Sequence, residues 1–204
     1  MKKAVALMGL VWALSLPIVA LASERGWKEG VDYKAIPPAN GLKAGEVIEF
    51  FSYGCIHCYN FLPHLERIRQ RLPEKVSLRL IPVSWSESDE AFARSYYAAQ
   101  QLGVAQKGHA GAFNYAILTL RGKGSIEDMA GFYKGYGADP AALIAIANSP
   151  MVDSILNEDR KIYLRIGLKG TPAVVVNGRY ITGDVESYEE LEALTMWLID
   201  TSGM

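Results

Sequence analysis

Val47-Ile48-Glu49-Phe50-Phe51 runs into Ser52-Tyr53-Gly54 and then into Cys55-Ile56-His57-Cys58, and the reading of that stretch decides the fold. Its first five residues are a short apolar run of the kind that forms a buried strand. From Cys58 onward Phe61, Leu62, Leu65, Ile68 and Leu72 recur at helical spacing, predicting a helix that Pro73 ends. The cysteine pair therefore stands at a helix N-terminus. Val76 to Val83 alternates and favours β-branched and aliphatic residues, which predicts a second strand and completes a strand-helix-strand unit.

Beyond that unit, residues 86–167 carry a helical pattern punctuated by glycines and by Asp139-Pro140 and Ser149-Pro150. Each of those pairs places a capping side chain before a first-turn proline, and the segment reads as four or five helices. β structure returns at Pro172, which leads into Ala173-Val174-Val175-Val176. Asn177-Gly178 then makes a hairpin turn and Arg179-Tyr180-Ile181 pairs back. Ser187-Tyr188-Glu189-Glu190 has the form of a capping box, and Leu191, Leu194, Trp197 and Leu198 give a last helix an apolar face. Residues upstream of Val47 read as a polar lead-in with turn signals at Pro37-Pro38 and Asn40-Gly41.

Half of the 204 residues are hydrophobic and 21% are charged, enough apolar material for one substantial core. The formal charge of −1, with no basic cluster, argues against nucleic acid as a partner. Lys2 and Lys3 precede an apolar run from Ala4 to Leu16, Pro17 breaks it, and Ala20-Leu21-Ala22 offers small residues for cleavage. This is the layout of a signal peptide over residues 1–22, and its removal would take the net charge from −1 to −3. Export bears directly on the cysteines, because a disulfide persists outside the reducing cytosol.

Two cysteines three positions apart can exchange disulfides, close a structural bridge or hold a metal. A bridge across so short a loop constrains the unfolded chain by only about 2 kcal/mol, little return for a staple placed at a helix start. Cys55, His57, Cys58 and His64 offer soft and imidazole ligands close in sequence, but a closed zinc site needs a second ligand pair, so copper or zinc carriage is the weaker reading. Haem attachment is excluded because Tyr59, not histidine, follows Cys58. Disulfide exchange runs through a thiolate, which free N–H groups at a helix start favour by about 0.3–2 kcal/mol. His57 is expected to add to this as a cation or as a donor to the sulfur. A stabilised thiolate makes the disulfide a better oxidant. Cys55 is then the exposed nucleophile and Cys58, one turn in, the buried resolving thiol. His64 and His109 read as surface or satisfied polar histidines.

Glu49-Phe50-Phe51-Ser52-Tyr53 followed by Cys55-Ile56-His57-Cys58-Tyr59, with Gly170-Thr171-Pro172 and Val176-Asn177-Gly178 downstream, resembles the DsbA family of periplasmic thiol:disulfide oxidoreductases. That family is itself the standing example of a low-pKa cysteine and an oxidising couple. The resemblance implies an α/β thioredoxin fold with a mixed central sheet, built from residues 23–85 and 168–204, and an all-helical domain inserted over 86–167. It assigns Pro172 to a cis-proline opposite the cysteines and Thr171 to the residue beside the disulfide, where substrate backbone pairs. Glu49 matches a buried acid that relays protons to or from Cys58, against the plainer possibility of an exposed edge-strand glutamate. Ile56 and Thr171 depart from the commoner family residues, proline and valine. The resemblance further implies a monomer whose clients are unfolded or reduced exported polypeptides. A membrane reoxidant of the DsbB type would restore the disulfide, with no cofactor beyond the Cys55–Cys58 pair. A reductase or isomerase on the same fold is the nearest alternative.

Overall fold

The apolar run around Glu49 becomes an interior strand paired on both sides. The computed structural model describes residues 26–204, so the signal-peptide reading of residues 1–22 lies outside the described residues. In chain order the elements are β1 (Tyr33–Ala35), β2 (Glu46–Phe51), α1 (Ile56–Arg71), β3 (Ser77–Pro82), α2 (Glu87–Gln101), α3 (Ala105–Asn114), α4 (Ile126–Lys134), α5 (Pro140–Ala147), α6 (Pro150–Arg165), β4 (Ala173–Val176), β5 (Tyr180–Thr182) and α7 (Tyr188–Thr201). A π-helical turn (Tyr115–Thr119) extends α3.

The five strands form one sheet in the order β1-β5-β4-β2-β3, with β2 parallel to β3 and the other pairs antiparallel. A parallel pair needs a crossover, and α1 supplies it. Because side chains alternate along a strand, β2 serves two cores. Val47 joins Val174 and Val176 under Phe61, Leu65 and Ile68 of α1 and Leu194 and Leu198 of α7. Ile48 and Phe50 join Val175 and Ile81 on the opposite face, beneath Ile162 and Tyr163 of α6 and Ile166 just after it. This is a thioredoxin fold with a helical insertion between β3 and β4. The inserted helices share a third core, including Phe92, Phe113, Met129, Tyr133 and Leu143, with Phe51, Tyr53 and Cys58. Their apolar interior is thus continuous with the end of β2, and α6 doubles as the cover of the sheet.

Helix starts follow the side chains expected of them. Ser86 accepts from the Asp89 N–H, and Asp139 and Ser149 cap α5 and α6 ahead of Pro140 and Pro150. Ser187 accepts from the Glu190 N–H, but the Glu190 carboxylate turns to the Glu186 N–H, so the reciprocal half of the expected capping box is replaced. A reciprocal box forms instead at Ser125 and Asp128. Strand β1 arises inside the stretch read as a lead-in. Its three residues carry no periodic signal, and its pairing with β5 supplies the order. Asn177 and Gly178 both take positive φ, as the hairpin requires, but Val176 pairs with Tyr180, so Arg179 is an additional loop residue whose carbonyl accepts from the Ile36 N–H.

Ile162 is 3% exposed and roofs the sheet from α6. Ile162→Ala should lower unfolding free energy by about 2–5 kcal/mol, read from urea denaturation. A loss below about 1 kcal/mol would mean that α6 does not hold the sheet.

Candidate active site

Strand β2 ends at Phe51, and three residues carry the chain to Cys55, whose N–H donates to the Ser52 carbonyl at 3.0 Å. This tight turn is fastened from the helical insertion: the Ser52 hydroxyl bonds Asp89 of α2 and accepts from the Gly54 N–H at 3.0 Å. Gly54 also has to be small there, because a Cβ would lie 3.3 Å from the Gly122 carbonyl oxygen. Held this way, Cys55 becomes the N-cap of α1 in extended conformation, φ −91° and ψ 111°. Its sulfur accepts from the Cys58 N–H at 3.3 Å, the place a serine or aspartate oxygen takes at other helix starts.

Both cysteines are free thiols, Cys55 half-buried and Cys58 fully buried. The Cys55 S–H points at the Thr171 carbonyl, 3.3 Å away across the sheet end, and the Thr171-Pro172 peptide is cis. The two sulfurs are driven in opposite directions. A hydrogen bond from the Cys58 thiol is the main influence holding Cys55 down to about 6; burial opposes it, and the Thr171 side chain and the backbone N–H groups of Cys58 and His57 reinforce it. Burial pushes Cys58 far up, assisted by its bond to Cys55 and by the charges of Glu49 and Cys55. The first sulfur is built to ionise and the second to stay protonated.

Glu49 lies on the interior strand with 1% of its surface exposed, so the edge-strand possibility is overturned. Its two carboxylate oxygens have no hydrogen-bond partner among the described residues. Burial raises its pKa to about 8, with the Cys55 charge adding and Arg69 opposing. The alternation of β2 puts it on the α1 side of the sheet, the side of Cys58.

The His57 ring departs from the expected hydrogen bond to the sulfur. The His57 imidazole is given to Tyr188 rather than to Cys55: Nδ1 lies 2.9 Å from the Tyr188 hydroxyl, and what His57 offers the sulfur is its backbone N–H. The helix start carries the backbone to the sulfur while the ring follows its own χ angles toward α7. His64 is buried and satisfied, its Nδ1 3.0 Å from the Glu192 carboxylate. Both histidines of the metal reading therefore have other partners. His109 bonds the Tyr53 hydroxyl at 3.0 Å, but its buried Nε2 has no partner among the described residues, and burial lowers its pKa to about 4. Tyr188, Ser52 and Asp89 were not legible as site residues. Tyr188 reaches His57 from 131 positions away, and its sequence neighbourhood announces only a helix start.

Beside this pair a groove of about 430 Å³ runs along His57, Thr171, Pro172, Asp184, Val185 and Tyr188. A readily ionised thiol at a helix cap, a buried partner sulfur and an open groove on a sheet of this topology define a thiol:disulfide oxidoreductase of the thioredoxin-fold class. Comparison with known proteins narrows the class. A family model for the DSBA-like thioredoxin domain matches residues 74–194. The thiol:disulfide interchange protein DsbA of Azotobacter vinelandii is 32% identical over 66% of this chain and 63% of its own length. That of Burkholderia cepacia is 30% identical over 81% of this chain and 80% of its own. The crystal structure of oxidoreductase DsbA from Xylella fastidiosa superposes with a TM-score of 0.74 at 31% identity, covering 84% of this chain and 95% of that one. The chain belongs to the DsbA-like thioredoxin family.

Unpartnered in the interior, ionised Glu49 works against the fold. Its contribution is present in full below the ordinary carboxyl value of 4.5 and is lost as pH rises through about 8. Glu49→Gln should therefore match the parent near pH 4 and exceed it by about a few kcal/mol near pH 9, in urea denaturation of the reduced proteins. Parallel stability curves across that range would contradict burial of the carboxyl.

Proposed function

We propose that the Cys55–Cys58 disulfide is donated to unfolded or reduced polypeptides exported to the periplasm, making the chain an oxidase rather than a reductase or isomerase. The observation that carries this is the asymmetry of the two sulfurs, Cys55 held down to about 6 at the α1 cap and Cys58 buried and pushed up. A stabilised thiolate belongs to the reduced form alone, so it draws the couple toward reduction of this protein and oxidation of the client. The periplasmic location rests on the leader read in residues 1–22 and on the family.

The chemistry balances in two steps. A client thiolate attacks the Cys55 sulfur, the S–S bond breaks, and its electron pair leaves on Cys58. A buried thiolate is costly, and protonated Glu49 behind it supplies the proton. A second client thiolate then attacks the client's own sulfur in the mixed disulfide, and Cys55 leaves as the capped thiolate. Two client thiols become one disulfide while this pair gains two electrons, and a membrane oxidant of the DsbB type removes them to restore the disulfide. The groove beside Thr171 and Pro172 seats the client through its main chain, which makes for broad specificity.

Equilibration with glutathione across pH tests this reading. Below the Cys55 pKa the potential should fall about 60 mV per pH unit, and above it about 30 mV, because only Cys58 then takes up a proton on reduction. The break should lie near 6. A potential near thioredoxin's, about −270 mV, would instead identify a reductase. Glu49→Gln should slow exchange several-fold near neutral pH in stopped-flow assays with a reduced peptide; unaltered rates at every pH would remove Glu49 from the mechanism.

A further inference from the structure

We propose that Tyr188 is a positioning residue that holds the His57 imidazole away from Cys55 and so restrains how far the thiolate is stabilised. The inference rests on the reading that the client attacks Cys55 and that Cys55 leaves as a thiolate, and it concerns how strongly that thiolate is stabilised.

The contact is specific. The Tyr188 hydroxyl lies 2.9 Å from His57 Nδ1, and the tyrosine is the first residue of α7, the helix packed against α1. Its ring is set firmly. Phe61 and His64 of α1 lie 6.4 and 5.9 Å from it, centroid to centroid. His64 is fixed in turn by Glu192 at 3.0 Å, and Glu192 accepts from Arg67 Nε at 2.9 Å. The hydroxyl is thus delivered to the imidazole from a rigid base where α1 and α7 meet.

The groups facing the Cys55 sulfur are few. Cys58 and the His57 backbone N–H approach from α1, Thr171 from the turn just before β4, and Glu49 acts from β2 beneath. Asp184 and Glu186 line the neighbouring groove with His57 and Tyr188, in the segment leading to α7. The His57 side chain, on the same loop, has its Nδ1 bonded to the Tyr188 hydroxyl. Rotation about its χ angles would exchange the tyrosine partner for the sulfur, one hydrogen bond for another. Removing the hydroxyl removes the competitor and leaves the aromatic packing in place.

Tyr188→Phe is the decisive variant. A hydrogen bond of ordinary net strength corresponds to roughly a two- to tenfold change. In a thiolate titration at 240 nm, Tyr188→Phe should lower the Cys55 pKa by about 0.4–1 unit. The equilibrium of protein disulfide plus two glutathiones with protein dithiol plus glutathione disulfide should move two- to tenfold, by the same measure, toward the dithiol. In a His57→Ser background the same tyrosine substitution should change neither quantity, a result that loss of mere packing would not give. An unchanged or raised pKa in Tyr188→Phe, or an equal shift in both backgrounds, overturns the inference. Cys55→Ser separates it from the reading beneath it. That variant should lose the low-pKa absorbance, and its persistence would overturn both, whereas a silent Cys55→Ser with no effect of Tyr188→Phe overturns the inference alone.

Discussion

A hydrogen bond from the Cys58 N–H to the Cys55 sulfur, 3.3 Å long, sits where strand β2 hands the chain to helix α1. At the starts of α2, α4, α5, α6 and α7 the same duty falls to oxygens of Ser86, Ser125, Asp139, Ser149 and Ser187. Those oxygens satisfy a free N–H, and the Ser86 and Ser125 hydroxyls also donate to Asp89 and Asp128. Sulfur in the capping position can also ionise, and an ionised cap is favoured by the same N–H groups and by the helix dipole. A local requirement of helix geometry thus becomes a chemical bias, and the rest of the structure serves to keep the cap in place and to make its partner different.

Keeping it in place is the work of three segments far apart in the chain. Asp89 of α2 ties down Ser52, Gly122 packs on Gly54, and Thr171 presents its carbonyl to the sulfur from the turn just before β4. Two of the three come from the helical insertion. Because Phe51, Tyr53 and Cys58 belong to the core of those helices, the insertion is part of the foundation of the redox loop.

Making the partner different is a matter of burial. Cys58 and Glu49 lie in the same apolar interior, where burial keeps either from taking a charge readily; Glu49 adds to the cost of ionising Cys58, and Cys55 to that of ionising Glu49. An unpartnered buried carboxyl opposes folding at alkaline pH, so its presence on an otherwise apolar strand speaks for chemistry over stability. The strand tolerates it because Val47, Ile48, Phe50 and Phe51 are all fully buried around it.

Much of this was legible in the residues themselves. An apolar run located β2, alternation located β3, an apolar run before the Asn177-Gly178 turn located β4, and helical spacing located α1 and α7; proline and serine marked helix starts, and the place of Cys55 at a helix end followed from where the apolar periodicity begins. Those properties depend on neighbours within a few positions, and the chain encodes them directly. The burial of Glu49, the approach of Thr171, the pairing of β1 with β5 and the capture of His57 by Tyr188 depend on where distant segments meet. Sequence could state that His57 stands beside a reactive sulfur, but only the packing of α7 against α1 decided which way its ring turns, since a side chain's partner is chosen by what the fold brings within reach.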